Sequence, residues 1–168
     1  MATVQSGPST FMEYGDVEGY TVTEDFTGFI DVANVDYNMC RQQTAADGWT
    51  TGALEAGSVV TLGPLSFTKA SDVCSSDLFE QATVGGAEKV FFHMTAVLAG
   101  VCTALMSIEV INAIMVSYAV TIQSQVPMES ISIDYEAIQT TSTVVDPKSG
   151  RPKANQVYGF DELKGTKM

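Results

Sequence analysis

Basic residues are scarce in this chain of 168 residues. Eight Lys and Arg stand against twenty Asp and Glu, which gives a formal net charge of −12. Five of the eight basic residues lie in the last 21 positions, at Lys148, Arg151, Lys153, Lys164 and Lys167. A nucleic acid partner is not expected, because so acidic a chain repels phosphate and has no stripe of cations with which to displace its counterions. Anionic membrane surfaces are disfavoured for the same reason.

Histidine and cysteine are also rare, which argues against catalysis and metal binding. Cys40, Cys74 and Cys102 are odd in number and widely spaced, so neither a disulfide framework nor a zinc site is indicated. His93 is the one histidine and lies within an apolar stretch, where a hydrogen-bonded structural role is typical. Phosphate-binding glycine motifs and serine elbows do not occur. We therefore expect no enzyme, no catalytic residue, no cofactor and no metal site.

Neither a signal peptide nor a membrane span is expected. Residues 1–11 contain no basic residue and no apolar run, so we expect a protein made in the cytoplasm. Residues 90–108 lack formal charge and reach 19 residues, about the length of a membrane helix. Polar residues and Gly100 interrupt this run and no basic cluster flanks it, so two adjacent strands fit better.

The segments that are present predict a mainly β domain. Short runs rich in Val, Ile, Thr, Phe and Tyr alternate with turn signals, which is typical of a small antiparallel β-barrel or sandwich. One domain over residues 1–168 is expected from the length. Residues 59–68 read as a strand with a kink at Gly63 and Pro64. A short flanking helix follows over about residues 72–83, and the tail at about 164–168 is expected to fray.

Residues 43–58 predict a long protruding loop. They are rich in Ala, Gly and Thr and include the single Trp49, so they are too poor in large apolar residues to form a core element. Trp49 can anchor a contact with a neighbouring subunit or fold back on its own domain. We take Trp49 and Gly57, at the end of the loop, as candidates for subunit contact.

A long alternating segment over residues 103–121 is apolar on both faces. One parity carries Ile108, Val110 and Ile114, broken by Asn112, whereas the other parity is not properly polar. A monomeric sheet facing water would alternate cleanly, so this strand needs a cover on each side. The second cover can be a helix or a second copy of the chain, and Leu105, Ile111 and Met115 are the candidate interface residues.

Taken in order, several short motifs resemble the Hcp family, the haemolysin-coregulated proteins that form the inner tube of type VI secretion systems. No single motif is specific, but their order and spacing over most of the chain carry the resemblance. They are Gly19, Thr23-Glu24-Asp25, Gly28-Phe29-Ile30-Asp31-Val32, the loop as far as Gly57, Leu65-Ser66-Phe67-Thr68-Lys69 with Asp72, Ser75 and Leu78, Ile108-Glu109-Val110, Ile114-Met115-Val116-Ser117, Pro127 with Glu129, and Gly159-Phe160-Asp161.

The resemblance implies a structural protein that assembles with itself. In that family a small β-barrel with one flanking helix closes as six copies into a ring, and rings stack head to tail as a hollow tube. The implied partners are a spike protein, a sheath and secreted effectors, and the implied destination is extracellular, through the chain's own apparatus. Two alternatives stay open: a tail-tube protein of a phage or another contractile particle, and a barrel that binds a small hydrophobic ligand along residues 91–115.

Residues 71–78 coincide with a sequence of technical origin. They read Ser-Asp-Val-Cys-Ser-Ser-Asp-Leu, which is the translation, in one frame, of a widely used short-read sequencing adapter. Chance agreement over so many residues is improbable. We therefore hypothesise that this segment partly misreports the natural protein, and Cys74 carries no argument about function.

Overall fold

The structure is a computed structural model that describes residues 9–42, 59–98, 100–122, 125–146 and 148–168. Within them it has one helix and a series of antiparallel strands. The elements are β1 Ser9–Tyr14, β2 Ile30–Val32, β3 Asn34–Asp36, β4 Met39–Gln42, β5 Val59–Leu62, β6 Leu65–Ala70, α1 Ser75–Val84, β7 Glu88–Leu98, β8 Val101–Thr121, β9 Met128–Asp134, β10 Ala137–Val145, β11 Pro152–Asp161 and β12 Thr166–Lys167.

The strands form an antiparallel sandwich in which β8 belongs to both layers. The first layer has the order β12-β11-β10-β8-β7-β1-β2, and the second has the order β3-β6-β9-β8. β4 and β5 form a separate two-stranded ribbon. The mainly β antiparallel fold expected from the sequence is confirmed, including its single short helix within the described residues.

The core lies between the two layers and is filled by one side of each strand. Phe92, Ile108 and Val110 face inward from the first layer, and Phe67 and Ile133 face them from the second. Ile30 and Val32 are buried while Asp31 is not, as the alternation predicts for a half-buried strand. Within residues 91–115, the buried core side chains are those of Phe92, Ile108, Val110, Ala113 and Met115.

Asn112 changes which side of β8 faces the core. Ile108 and Val110 are buried before it, whereas Ala113 and Met115 are buried after it, so the inward parity shifts by one residue. Asn112 adopts φ of 53° and donates a hydrogen bond from Nδ2 to Glu136 Oε2 at 2.6 Å. Asn tolerates this left-handed conformation better than other non-glycine residues. The even-numbered apolar residues therefore face the core before Asn112, whereas the odd-numbered residues face the core directly after it.

Helix α1 starts later than the sequence predicts. The expected start near residue 72 falls in a turn, because Asp72 Oδ1 accepts a hydrogen bond from the backbone N–H of Cys74 and Ser75 Oγ accepts one from the N–H of Asp72. Those side-chain bonds compete with helical bonding. The helix ends at Gly85 as expected, and its buried Leu78 packs on the core.

Four further segments can be compared with their sequence-based expectations. Residues 90–108 form two antiparallel strands as predicted, joined at Gly100. The described part of the chain contains no helix long and apolar enough to span a membrane. Apolar and polar side chains alternate over residues 130–138, which predicts one strand, but the structure has two, since β9 ends at Asp134 and β10 begins at Ala137. The C-terminal tail was expected to fray, but β12 pairs with β11. The predicted loop at residues 43–58 lies outside the described residues.

Candidate assembly surfaces

The candidate interface residues occupy different environments. Leu105 lies opposite a break in register between β7 and β8, and Ile111 pairs with Ala137; both side chains are half-buried. Met115 is 7% exposed and belongs to the core, so most of its side chain is already covered within one subunit. Trp49 and Gly57 lie outside the described residues. The contact of these five residues with a second copy stays a prediction.

Other apolar residues at the C-terminal end of β8 are more exposed than the candidates. Ile114, Val116 and Val120 are each about half exposed, and Ile122 just beyond the strand is 77% exposed. Ile114 is exposed because Asn112 shifts the inward parity, whereas a second register shift between Met115 and Ser117 places Val120 on the same side as Tyr118, and Ile122 lies beyond the end of β8. Large exposed apolar clusters of this kind mark interaction surfaces in soluble proteins.

A groove lies between α1 and the ends of β8 and β9. It has a volume of about 550 Å³ and is open to solvent. We call it the helix groove, and its lining residues are Ser71, Ser75, Ser76, Phe79, Tyr118, Val120 and Glu129. The rings of Phe79 and Tyr118 meet edge to face with centroids 5.6 Å apart, which joins α1 to β8.

A buried ionic cluster lies beside the helix groove, and Glu129 is its charged residue that lines the groove. Lys69 is 0% exposed and Glu129 1%, and Lys69 Nζ lies 2.8 Å from Asp72 Oδ1 and 3.3 Å from Glu129 Oε2. Ser71 donates a hydrogen bond to Glu129 Oε1 at 2.7 Å. Buried charges are tolerated when each is paired and hydrogen-bonded, as these are. The cluster therefore ties β6 and β9 to the start of α1.

Burial and the charges of the ionic cluster keep the nearby Cys74 thiol and Tyr118 hydroxyl in their neutral forms. Burial of the Lys69 ammonium works against its charge, but the hydrogen bond that it donates to Asp72 and the nearby acids outweigh burial and raise the pKa of Lys69. Burial, with the hydrogen bond to Asp72, raises the pKa of the Cys74 thiol to about 12. Burial and Glu129 raise the pKa of Tyr118 to about 12. Cys74 and Tyr118 are thus protonated at neutral pH.

At the N-terminal end of β8, the β7–β8 hairpin and the β10–β11 hairpin extend beyond the last row in which β8 and β10 pair. In the described chain, β8 and β10 pair only as far as Met106 with Ser142. Beyond that row, residues 143–145 pair only with β11 and residues 101–104 only with β7. Residues 143–155, which we call the basic hairpin, contain the exposed Lys148, Arg151 and Lys153.

His93 belongs to a small aromatic cluster on the outer side of the first layer. Its Nδ1 lies 2.8 Å from Ser107 Oγ, and its ring contacts Phe26, Phe29 and Phe91. Burial lowers the pKa of His93, so the imidazole is neutral at pH 7. This is the hydrogen-bonded strand histidine that the sequence predicts. Among the described residues, no group of three or more His, Cys, Asp or Glu side chains is arranged to hold a metal ion.

Sequence reasoning did not recognise the ionic cluster or the basic hairpin as surfaces. Lys69 stands at an inward position of an apolar strand, as does Glu129 in β9, and a charge at such a position signals a buried partner. The sequence also carries a signal for the basic hairpin, since five of the eight basic residues lie in the last 21 positions. It does not show the strand register that brings Lys148, Arg151 and Lys153 together at the tip of that hairpin.

A model of the family described as "Type VI secretion system effector, Hcp" matches residues 11–141. The match spans most of the chain. This chain belongs to the Hcp family. Hcp proteins are secreted proteins of the type VI secretion system, and the family resemblance found in the sequence is confirmed. A search of curated protein sequences finds no match.

Solved structures of Hcp proteins have the same fold as this Hcp chain. A structure described as a type six secretion system protein aligns with a TM-score of 0.82 at 18% identity, covering 96% of this chain and 99% of that one. Hcp1 from Salmonella typhimurium aligns with a TM-score of 0.75 at 13% identity, covering 96% and 99%. The secreted protein Hcp3 from Pseudomonas aeruginosa aligns with a TM-score of 0.57 at 16% identity, covering 96% and 95%.

The residues that carry the family resemblance meet in the structure. Lys69, Asp72, Ser75 and Glu129 are separate in the sequence but surround one ammonium group. Leu78 is buried beside them in the core. These contacts attach the start of α1 to the sandwich in this chain.

Proposed function

We propose that this chain is a structural subunit of a type VI secretion tube. In this proposal six copies close into a ring, rings stack head to tail, and the hollow tube carries effectors while a spike protein and a sheath act on it from outside. Family membership supports the tube-subunit role. The assembly itself is supported by one observation on this chain, namely the exposed apolar residues at both ends of β8.

Those apolar residues are too many and too large for a surface that faces water throughout. Ile114, Val116 and Ile122 lie toward one end, and Met94, Val97 and Val101 lie at the other, all more than two fifths exposed. Burying apolar surface yields roughly 25 cal/mol per Å², so covering both ends by neighbouring copies is strongly favourable. A ring stacked into a tube covers surfaces at both ends of each subunit, whereas a two-fold dimer covers only one patch per subunit.

The test is the oligomeric state of the purified chain. Size-exclusion chromatography with light scattering and negative-stain microscopy should show hexameric rings and, at high concentration, tubes. A monomer that retains lipid through purification would overturn the proposal in favour of the hydrophobic-ligand barrel. Rings that require a phage-like sheath protein to stack would favour the other contractile particles.

A further inference from the structure

We propose that residues 18–29, which we call the strap, form a pH-sensitive cover that protonation of the His93 imidazole releases from the outer side of the first layer. The strap leads from β1 into β2 and lies over a small aromatic cluster. Its release exposes aromatic surface while the sandwich stays folded. Release needs no contact between copies, so it goes beyond the proposed tube function and does not depend on it.

The strap is folded on itself. The N–H of Gly19 donates a hydrogen bond to the carbonyl oxygen of Gly28 at 2.8 Å, and the N–H of Gly28 donates one to the carbonyl oxygen of Thr21 at 2.8 Å. Thr21 in turn donates from its N–H and from its Oγ1 to the carbonyl oxygen of Phe29, at 3.3 Å and 2.6 Å. These bonds join residues of the strap to one another, so they shape the strap without fixing it to the sheet.

Aromatic side chains hold the strap on the first layer. Phe26 is 7% exposed, and its ring stacks on that of Phe11 in β1 with centroids 5.0 Å apart. Phe29 meets Phe26 edge to face at 5.5 Å. Phe11 and Phe26 are buried but do not belong to the main core cluster. A segment held by so small a separate cluster opens at a lower free energy than the whole fold.

His93 lies at the centre of the aromatic cluster. Its ring centroid is 5.7 Å from those of Phe26 and Phe29 and 6.1 Å from that of Phe91. Its Nδ1 lies 2.8 Å from Ser107 Oγ, a contact that either neutral tautomer can make, since a hydroxyl both donates and accepts. Protonation would place a cation beneath the strap, where the rings replace much of the water that would otherwise solvate it.

The charged groups around the imidazole do not offset its burial. Glu13 of β1 favours the cation, but burial has the larger effect and lowers the pKa of His93. Lys89 of β7 and Glu109 of β8 pair with each other, with Nζ and Oε1 2.7 Å apart. The remaining acids nearby are Asp31, which pairs with Phe11, and the exposed strap residues Glu18, Glu24 and Asp25. The closed strap therefore favours the neutral imidazole.

The direction of the pH effect follows from linkage. The pKa of His93 is below the ordinary value of 6.5 when the strap is closed, and it returns toward that value when the strap opens into water. The open form therefore binds the proton more tightly. The contribution of His93 to closure is complete above pH 6.5 and is lost as pH falls through the closed-state pKa. The opening constant should rise roughly tenfold for each unit between the two pKa values.

Two measurements on the full chain test the strap. NMR of protein labelled with carbon-13 in the histidine ring follows the imidazole directly, because the chain has one histidine, and the midpoint should lie below 6.5. Hydrogen exchange with mass spectrometry, corrected for the pH dependence of intrinsic exchange, should show residues 18–29 losing protection between pH 6.5 and that midpoint. Peptides of β9, which carries the buried Ile131 and Ile133, should stay protected.

Neutral variants separate His93 from the carboxylates. His93→Gln is uncharged at every pH, so its strap should be as protected at pH 5 as at pH 7. Glu13→Gln removes a charge that favours the imidazolium, so the imidazole midpoint and the range of strap opening should both move to lower pH. The matched control is Glu24→Gln, which removes an exposed acid of the strap itself and should change neither. Phe26→Ala should open the strap at pH 7 and gives the exchange of the open form.

The possible results are distinct. An imidazole midpoint at or above 6.5 would show that the rings and Glu13 stabilise the cation, and it would overturn the proposal. A strap that stays protected while the imidazole titrates, or that opens in His93→Gln over the same pH range, would also overturn it. Loss of protection in β9 together with the strap would mean that acid unfolds the sandwich as a whole. None of these results bears on the tube proposal.

Discussion

At the scale of single residues, Asn112 decides how one strand can serve two layers. Its left-handed backbone shifts the inward parity of β8, so Val110 and Ala113 are both buried although three positions apart. The sequence shows the break in alternation at Asn112, but it does not show that the faces exchange there. That exchange depends on backbone conformation, which apolar periodicity alone does not encode.

Replacing Asn112 tests this role. Asn112→Gly and Asn112→Val both lose the exposed hydrogen bond to Glu136, but only Gly accepts φ of 53° without strain. The Val variant should therefore unfold with a free energy about 1–2 kcal/mol lower than the Gly variant. Urea denaturation followed by fluorescence measures the difference. Equal stability of the two variants would contradict a required left-handed conformation.

The Lys69 cluster should be sensitive to loss of one partner and tolerant of loss of two. Lys69→Met leaves Glu129 buried without its cation and should cost about 3–5 kcal/mol at pH 7. Adding Glu129→Gln removes the unpaired charge and should recover at least half of that loss. Both variants should keep the β-rich fold.

The measurement is urea denaturation of both variants at pH 7, with circular dichroism verifying the fold. In the unmodified chain the pKa of Lys69 is higher in the folded state than in the unfolded state. The contribution of Lys69 to the free energy of unfolding is therefore complete at pH values below the ordinary lysine pKa, and it is lost as pH rises through the pKa of the folded state. Stability should therefore drop at strongly alkaline pH. If Lys69→Met were as stable as the double variant, the pairing of Lys69 with Glu129 would have no net effect on stability.

Residues 71–78 can be verified directly on protein from its natural source. In the sequence given, Asp72 and Ser75 contact Lys69 outside the segment, and Cys74 and Leu78 are both buried in the core. We expect the tryptic peptide that follows Lys69 to differ in mass from the sequence given. The control is the same peptide from protein expressed from this sequence. Detection of Cys74 in the natural peptide would refute the adapter hypothesis.

At the scale of elements, strand identity was predictable and strand partners were not. Val59–Leu62 and Leu65–Ala70 are strands on either side of the kink at Gly63 and Pro64, as their β-branched residues indicate. The kink also sends them to different sheets, since β5 pairs with β4 and β6 pairs with β3 and β9. Pairing joins residues distant in sequence, so local composition does not determine it.

The ribbon of β4 and β5 gives the predicted loop a fixed base. Gln42 pairs with Val59, so the two residues that flank residues 43–58 are adjacent. Trp49→Asp or Gly57→Asp should therefore weaken ring stacking without lowering the thermal midpoint of unfolding. Negative-stain tube lengths and circular dichroism measure the two effects, with Trp49→Phe as the control. Unchanged tubes in both Asp variants would refute a role for the loop.

At the scale of the whole molecule, net charge opposes the assembly that exposed apolar surface favours. Each subunit carries −12, while the exposed apolar residues at both ends of β8 favour contact with other copies. Repulsion between whole subunits acts over long distances, and salt screens it, since the Debye length falls from about 30 Å at 0.01 M to about 8 Å at 0.15 M. Apolar contacts are not weakened by this screening.

Raising salt from 10 mM to 150 mM should therefore strengthen assembly of the unmodified chain, which is the reverse of the usual effect on an ionic contact. The fraction in rings, measured by sedimentation velocity at fixed protein concentration, should increase over this range. A Lys164→Glu, Lys167→Glu variant has a more negative net charge and should need more salt to reach the same fraction. Weaker assembly of the unmodified chain at 150 mM than at 10 mM would show that long-range repulsion does not limit the ring.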